Sequence, residues 1–267
     1  MSESEKLRLG GMALRNGLLV HGPTHWAAAV RTPDGSLRVA SGPKPRLRRL
    51  DAVPGLRGVV RLAEAFAVIP LVKRGLPEAR LPFQDGSVVA VAAGAAALGT
   101  LARRRLRGTA GEAAAAGVSL APALFALQGG ELAAYHGVEH KAIAAYEAPE
   151  DADAAAAAKE HDRCGSHLVT PMLAANLAGT LLLRRVLEKP GPLAGAGVAL
   201  ASTAAAVEVF AWAERHADTR AARAIRRPGF ELQRAMGTRE PDEAQLEVGR
   251  AALAEILRVE GASADAA

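Results

Sequence analysis

Four stretches of this chain carry no charged residue over nearly the length of a membrane crossing: 86–102, 113–130, 168–183 and 190–207. A transmembrane helix takes about 20 consecutive apolar residues, because hydrocarbon offers no partner to an unsatisfied backbone group and a helix satisfies its own. The last stretch continues to Ala213 if one acid, Glu208, is tolerated. Arginines stand at the ends of the stretches: Arg103, Arg104, Arg105 and Arg107 after the first, Arg184 and Arg185 after the third. That placement suits lipid headgroups. Four buried helices of a soluble α-protein would leave those clusters unexplained. The expected fold is therefore mainly α: a polytopic membrane helix bundle with a small N-terminal β-hairpin element and an amphipathic C-terminal helix.

Composition agrees without deciding the matter. Half of the residues are hydrophobic and only 3% aromatic, and much of the excess is alanine, which favours lipid weakly. The formal charge of +5 and pI near 9.8 suit an anionic membrane surface or nucleic acid. No aromatic residues alternate with the basic ones to stack bases, so no nucleic acid partner is expected. The single cysteine, Cys164, excludes a disulfide within the chain. The acidic opening, Met1 to Lys6, lacks an apolar core, and no cleaved export signal is expected.

Three segments follow: 1–56, soluble and β-rich; 57–214, the membrane bundle including a polar linker at 131–167; and 215–267, soluble and helical. Within the first, Met12–Val20 and Trp26–Arg31 suit strands, and Pro33-Asp-Gly35 gives 26–40 the turn of a hairpin. Gly10, Gly11 and Gly17 read as turn glycines, and His21 and His25 as loop residues around Pro23. Lys44–Arg49 is a basic linker. In 57–74, Arg61 and Glu64 interrupt an apolar run, which favours a surface-lying or re-entrant helix over a span; the two are three apart and suited to pair. Near the C-terminus, Gln245, Leu246, Val248, Ala251, Leu253 and Ile256 recur at helical spacing after Asp242, and 261–267 reads as a disordered tail. Simple alternation of four crossings puts the acidic linker opposite some of the arginines. Either at least one segment is re-entrant or 131–167 lies on the same side as the rest, and the sidedness stays open.

The chemistry concentrates in His136-Gly-Val-Glu139-His140. On a helix, positions i and i+4 share a face, so both imidazoles can reach one metal, with Glu139 placed to accept a proton from water. The spelling H-x-x-E-H is that of a class of zinc peptidases. Two histidines do not make a zinc site, but Glu147, His161, Cys164 and His167 follow on the same linker. Glu208 is a second clue, since an acid in an apolar helix is costly and usually faces a partner such as Arg61, or a cavity.

Tyr135-His-Gly-Val-Glu-His-Lys141, then Tyr146-Glu147 and His161-Asp-Arg-Cys-Gly165, resemble the YqhQ-like family of bacterial membrane proteins. Gly10-Gly-Met-Ala13, Leu56-Arg-Gly-Val-Val60, Leu232-Gln-Arg234, Thr238-Arg-Glu-Pro-Asp242 and Gln245-Leu-Glu-Val248 resemble further blocks of it, so the likeness runs over nearly the whole chain. The family is a domain of unknown function, sometimes described as a predicted metal-dependent enzyme. The resemblance implies roles for His136, Glu139, His140, His161 and Cys164, which match its motif positions, and for Glu208, which falls where the family has an acid. His167 stands where the family has a small hydroxyl residue. Asn16 and His21 stand where it has Glu and Arg.

The expectation is a multi-pass protein of the bacterial plasma membrane. Zinc is held by His136 and His140, with Cys164 and His161 completing the shell and Glu208 as an outside ligand. Glu139 is the base of a metal-dependent hydrolase, with a peptide bond as substrate by motif analogy alone. A shell closed by all of His136, His140, His161 and Cys164 would instead be structural and make the protein a scaffold or assembly factor. Glu208 in a conducting bundle would make it a transporter. Lipid is the expected partner, with a homo-oligomer or other membrane proteins allowed.

Overall fold

The computed structural model describes residues 6–46, 57–106, 108–128, 130–148, 156–187 and 190–264. The end of the basic linker (47–49), Leu56, Arg107, the side chain of Arg61 and the last three residues lie outside what it describes.

The N-terminal segment forms β1 (Gly10–Leu14), β2 (Gly17–His21), β3 (His25–Arg31) and β4 (Leu37–Pro43) in one antiparallel meander, ordered β1-β2-β3-β4. The expected hairpin is its β3–β4 half. Its turn closes with Thr32 and Ser36 bonded backbone to backbone and Gly35 at φ 83°, a conformation that glycine adopts freely. The run 12–20 is not one strand but two, reversing at Arg15-Asn16.

Both faces of the sheet are covered, which is why β2 and β3 read as nearly unbroken apolar runs. On one face Leu18, Val20, Ala27 and Ala29 pack with Tyr135 and Val138 of α6 (Glu131–Glu147) and with Val248, Ala252 and Ile256 of α10 (Glu243–Ala264). On the other, Leu14, Leu19, Trp26, Ala28 and Val30 meet Val68, Val72, Leu76, Ala79 and Leu81. The interrupted run 57–74 is two short helices, α1 (Arg57–Ala67) and α2 (Ile69–Gly75), neither long enough to span.

α10 opens with a reciprocal cap. Gln245 donates its N–H to Asp242 Oδ1 at 2.8 Å, and its side-chain oxygen accepts the Asp242 N–H at 3.0 Å, satisfying two orphan donors. Contrary to the expected disordered tail, the helix continues through Ala264.

Four helical runs are long and apolar enough to cross a membrane: Gly86–Arg105, Thr109–Gln128, Gly165–Val186 and Leu193–Arg215. They contain α3 (Gly86–Arg105), α4 (Thr109–Val118) with α5 (Ala121–Gln128), α7 (Val169–Val186) and α8 (Pro192–Arg215). The second run breaks between α4 and α5, where Pro122 cannot donate to the preceding turn. At most 17% of each run's apolar window is buried within the chain, so these helices are not the core of a soluble protein. They suggest a lipid environment.

The runs form two antiparallel hairpins. At one end the buried Glu112 of α4 joins Arg103 of α3 (3.0 Å) and Arg184 of α7 (2.6 Å). At the other end α5 leads through Gly130 into α6, α7 begins beside Cys164, and α8 runs toward α9 (Arg220–Leu232). The described parts of the linker, 131–148 and 156–164, therefore lie at the same end of the bundle as the sheet and α10 and at the opposite end from Arg103 and Arg184. The sheet, α6 and α10 form one module at that end.

Candidate metal centre

α6 carries the ligands because it is buried on nearly all sides. Gly137 permits this: a Cβ there would lie 2.3 Å from the carbonyl oxygen of Arg239. The segment 237–241 thus lies directly against α6, and Arg239 N–H donates to Ala133 O at 2.9 Å.

Two backbone carbonyls orient the two histidines. His136 Nδ1 donates to Gly237 O at 2.7 Å, and His140 Nδ1 donates to Lys159 O at 2.6 Å. With the proton on Nδ1 in each ring, both Nε2 atoms present an acceptor lone pair, the arrangement that carbonyls bonded to the other ring nitrogen impose on metal-binding histidines. His140 Nε2 is buried and has no hydrogen-bond partner among the described residues. Cys164 Sγ stands 3.4 Å from His136 Nε2, where its thiol can donate, and accepts the Ser166 N–H. The ligand atoms of His136, His140 and Cys164 all lie within 4.8 Å of one another. Tetrahedral zinc with N and S ligands wants about 3.5 Å between them, so small side-chain rotations would close the set. The three residues can hold a metal ion.

Burial sets the protonation states. It drives the His140 imidazole down to about 3, helped by His136, which keeps the ring in its neutral, ligating form. It pushes the Cys164 thiol up; a bound cation would reverse that by favouring the thiolate. Burial also raises Glu139 to about 7, opposed by His136 and by a hydrogen bond from the Ala13 backbone.

Glu139 points toward the sheet. A Cβ on Gly11 would lie 2.7 Å from its Cγ, and one on Gly10 would lie 2.8 Å from the His21 ring. Gly10 and Gly11 are therefore strand residues that admit these side chains, not turn glycines; glycine inside a strand often marks such a close approach. Glu139, His140 and Cys164 line a cavity of about 310 Å³, together with His21, His161 and Arg163. His21 ends β2, and burial, then Lys44, lowers its imidazole to about 4.

His161 lines the cavity but sits outside the three-ligand cluster. Its Nδ1 accepts the Arg163 N–H at 3.2 Å, its Nε2 faces Glu147 at 3.5 Å, and its ring centroid is 5.7 Å from that of His140. Glu147 also pairs with Arg163. His167 is a satisfied buried residue, bonded to Arg226 O and to Gln233. Glu208 is exposed on α8 and does not line the cavity.

Two parts of the site left no readable signal in the sequence. One is the π-helical segment Gln233–Gly237, whose Gly237 carbonyl orients His136; such segments often mark functional sites. The other is Gln233, fully buried, which takes the His161 N–H at 2.8 Å and donates to Ser166 Oγ at 2.8 Å, bracing the loop that carries Cys164.

Residues 131–259 match the family described as a protein of unknown function (DUF1385). The matched segment spans the ligands, α7 to α9 and most of α10, and agrees with the resemblance seen in the sequence. Neither the curated proteins nor the solved structures yield a match.

Proposed function

We propose that this chain, whose residues 131–259 match the family described as a protein of unknown function (DUF1385), is a multi-pass protein of the plasma membrane and a zinc-dependent hydrolase. One observation carries this reading. His136, His140 and Cys164 turn three donors toward one point, and Glu139 lies beside them in a cavity. Three protein ligands leave a fourth position open, as in catalytic zinc sites. Zinc, when bound, would lower the pKa of a water and polarise the substrate oxygen.

The chain's own residues do the rest. Glu139 accepts a proton from the attacking water, whose oxygen bonds to the carbonyl or phosphoryl centre. As the bond to the leaving group breaks, Glu139 passes that proton to it. Gly237 and Lys159 hold the two imidazoles in the required tautomer. In this assignment His161 orients Arg163 and Glu147 without ligating, and Glu208 is outside the shell. The motif H-x-x-E-H suggests a peptide by analogy.

A second reading, a scaffold stapled by a closed structural site, draws on the nearness of the His161 and His140 rings. Cobalt(II) in place of zinc separates the two. With an open position, azide shifts the visible bands of the cobalt protein. A spectrum indifferent to azide identifies the closed site and overturns the hydrolase.

A further inference from the structure

The cavity has two unlike walls. One carries two of the candidate metal ligands, His140 and Cys164, and Glu139. The other is apolar: Leu9 and Leu19 from the sheet side, Leu62, Ala65 and Phe66 from α1, and Ile143 from α6. α1 packs against α8, one of the four membrane-length helices. Cys164 directly precedes another, which begins at Gly165. The reactive end of the cavity is therefore at the boundary between the module and the bundle.

α1 does not seal that boundary. Phe66 is 52% exposed and Leu62 36% exposed, although both also line the cavity. An apolar rim at the end of a membrane bundle meets lipid rather than bulk water. The volume of about 310 Å³ is at the small end for ligand pockets, roughly 300–1,000 Å³. It suits a headgroup and its nearest bonds while an attached chain remains in the bilayer.

We propose that the substrate is a membrane-anchored amphiphile: an acyl chain enters past Leu62 and Phe66 and presents its ester, amide or phosphoester bond to the site. This rests on the hydrolase reading for cleavage of the bond, but not for occupancy of the cavity. During cleavage, water adds across the bond: its oxygen goes to the acyl or phosphoryl centre, and its proton reaches the leaving group through Glu139.

Two measurements on the full chain in phosphatidylcholine vesicles test it. The first compares hydrolysis of p-nitrophenyl acetate and p-nitrophenyl dodecanoate by the zinc-loaded protein. The long chain should lead in kcat/KM by about tenfold or more, since each buried methylene adds to binding, and Phe66→Gln should bring that ratio toward one. The second uses a phosphatidylcholine with a terminal diazirine on its acyl chain, and needs no activity. Crosslinks should fall on the cavity interior, at Leu9, Leu19 and Ile143, and decline in Ala65→Trp, which fills the space. Equal hydrolysis of both esters overturns the amphiphile and leaves the hydrolase standing. Hydrolysis of neither overturns the hydrolase, and the crosslinks then decide: interior labels support the amphiphile, whereas labels confined to the outer faces of α3, α4, α7 and α8 overturn it.

Discussion

The module and the bundle handle their apolar residues in opposite ways. Around the sheet, Leu14, Leu18, Val20 and Val30 have no exposed surface, because α6 and α10 close one face and α2 with its following loop the other. In the bundle, Leu182, Leu193 and Leu200 remain 60%, 87% and 61% exposed within the chain. The module completes its core alone, while the bundle relies on what surrounds it. The difference explains where chemistry can reside. Ligands need fixed orientations, and the segments packed against α6 supply backbone carbonyls, Gly237 O and Lys159 O, that fix them. The bundle supplies location: it brings Cys164 and the cavity to one end of the four membrane-length helices.

The sharpest way to break this comparison is to truncate one leucine in each region. Leu18→Ala should cost about 3 kcal/mol, as full burial in a packed core implies, whereas Leu193→Ala should cost under about 0.5 kcal/mol. Denaturant titration in detergent, followed by fluorescence, measures both. An equal cost would mean that the outer face of α8 is covered by protein.

A smaller effect is expected from acid. His21 is held neutral, with its folded pKa near 4 against an ordinary 6.5. A depressed imidazole stabilises the fold fully above 6.5, and stability falls as pH drops from 6.5 toward 4, because the unfolded chain takes up the proton first. This imidazole should account for a loss of about 2.5 kcal/mol across that window, and His21→Gln should reduce the slope by that share, while His140, which burial holds near 3, keeps the remainder. Melting temperatures of metal-free protein between pH 7 and 4.5 test this.

The smallest effect sharpens the division of labour inside the module. Gln233 touches no ligand atom but braces the His161–Ser166 loop. Gln233→Ala should weaken zinc binding by about tenfold, in line with the loss of an outer-shell partner, with little change in the bundle's helicity. Competition with a chromophoric chelator reads the affinity and circular dichroism the helicity.

Much of this was legible in the sequence, because periodicity and absence of charge act locally. The four uncharged stretches marked the membrane-length helices to within a few residues, and Asp242 marked the start of α10. The i, i+4 spacing of His136 and His140 announced a shared face. Other features depended on contacts distant in sequence. Gly10 and Gly11 looked like turn residues because the side chains filling their space, His21 and Glu139, belong to other elements. His161 looked as eligible as Cys164 on the same linker, yet its ring nitrogens face Arg163 and Glu147. The tautomers of His136 and His140 are set by main-chain oxygens, which no side-chain pattern reveals. Which helix ends lie together emerged only when Glu112 joined Arg103 and Arg184 across two hairpins.

The central claim is that His136, His140 and Cys164 hold one metal ion with Glu139 beside it and outside the shell. Elemental mass spectrometry of protein purified in detergent, without added metal or chelator, addresses it most directly. The account predicts about one zinc per chain in the wild type and in Glu139→Gln, and under about a tenth of that in His136→Ala, His140→Ala and Cys164→Ala. A wild type without metal, or a Cys164→Ala variant that keeps its full complement, would contradict it.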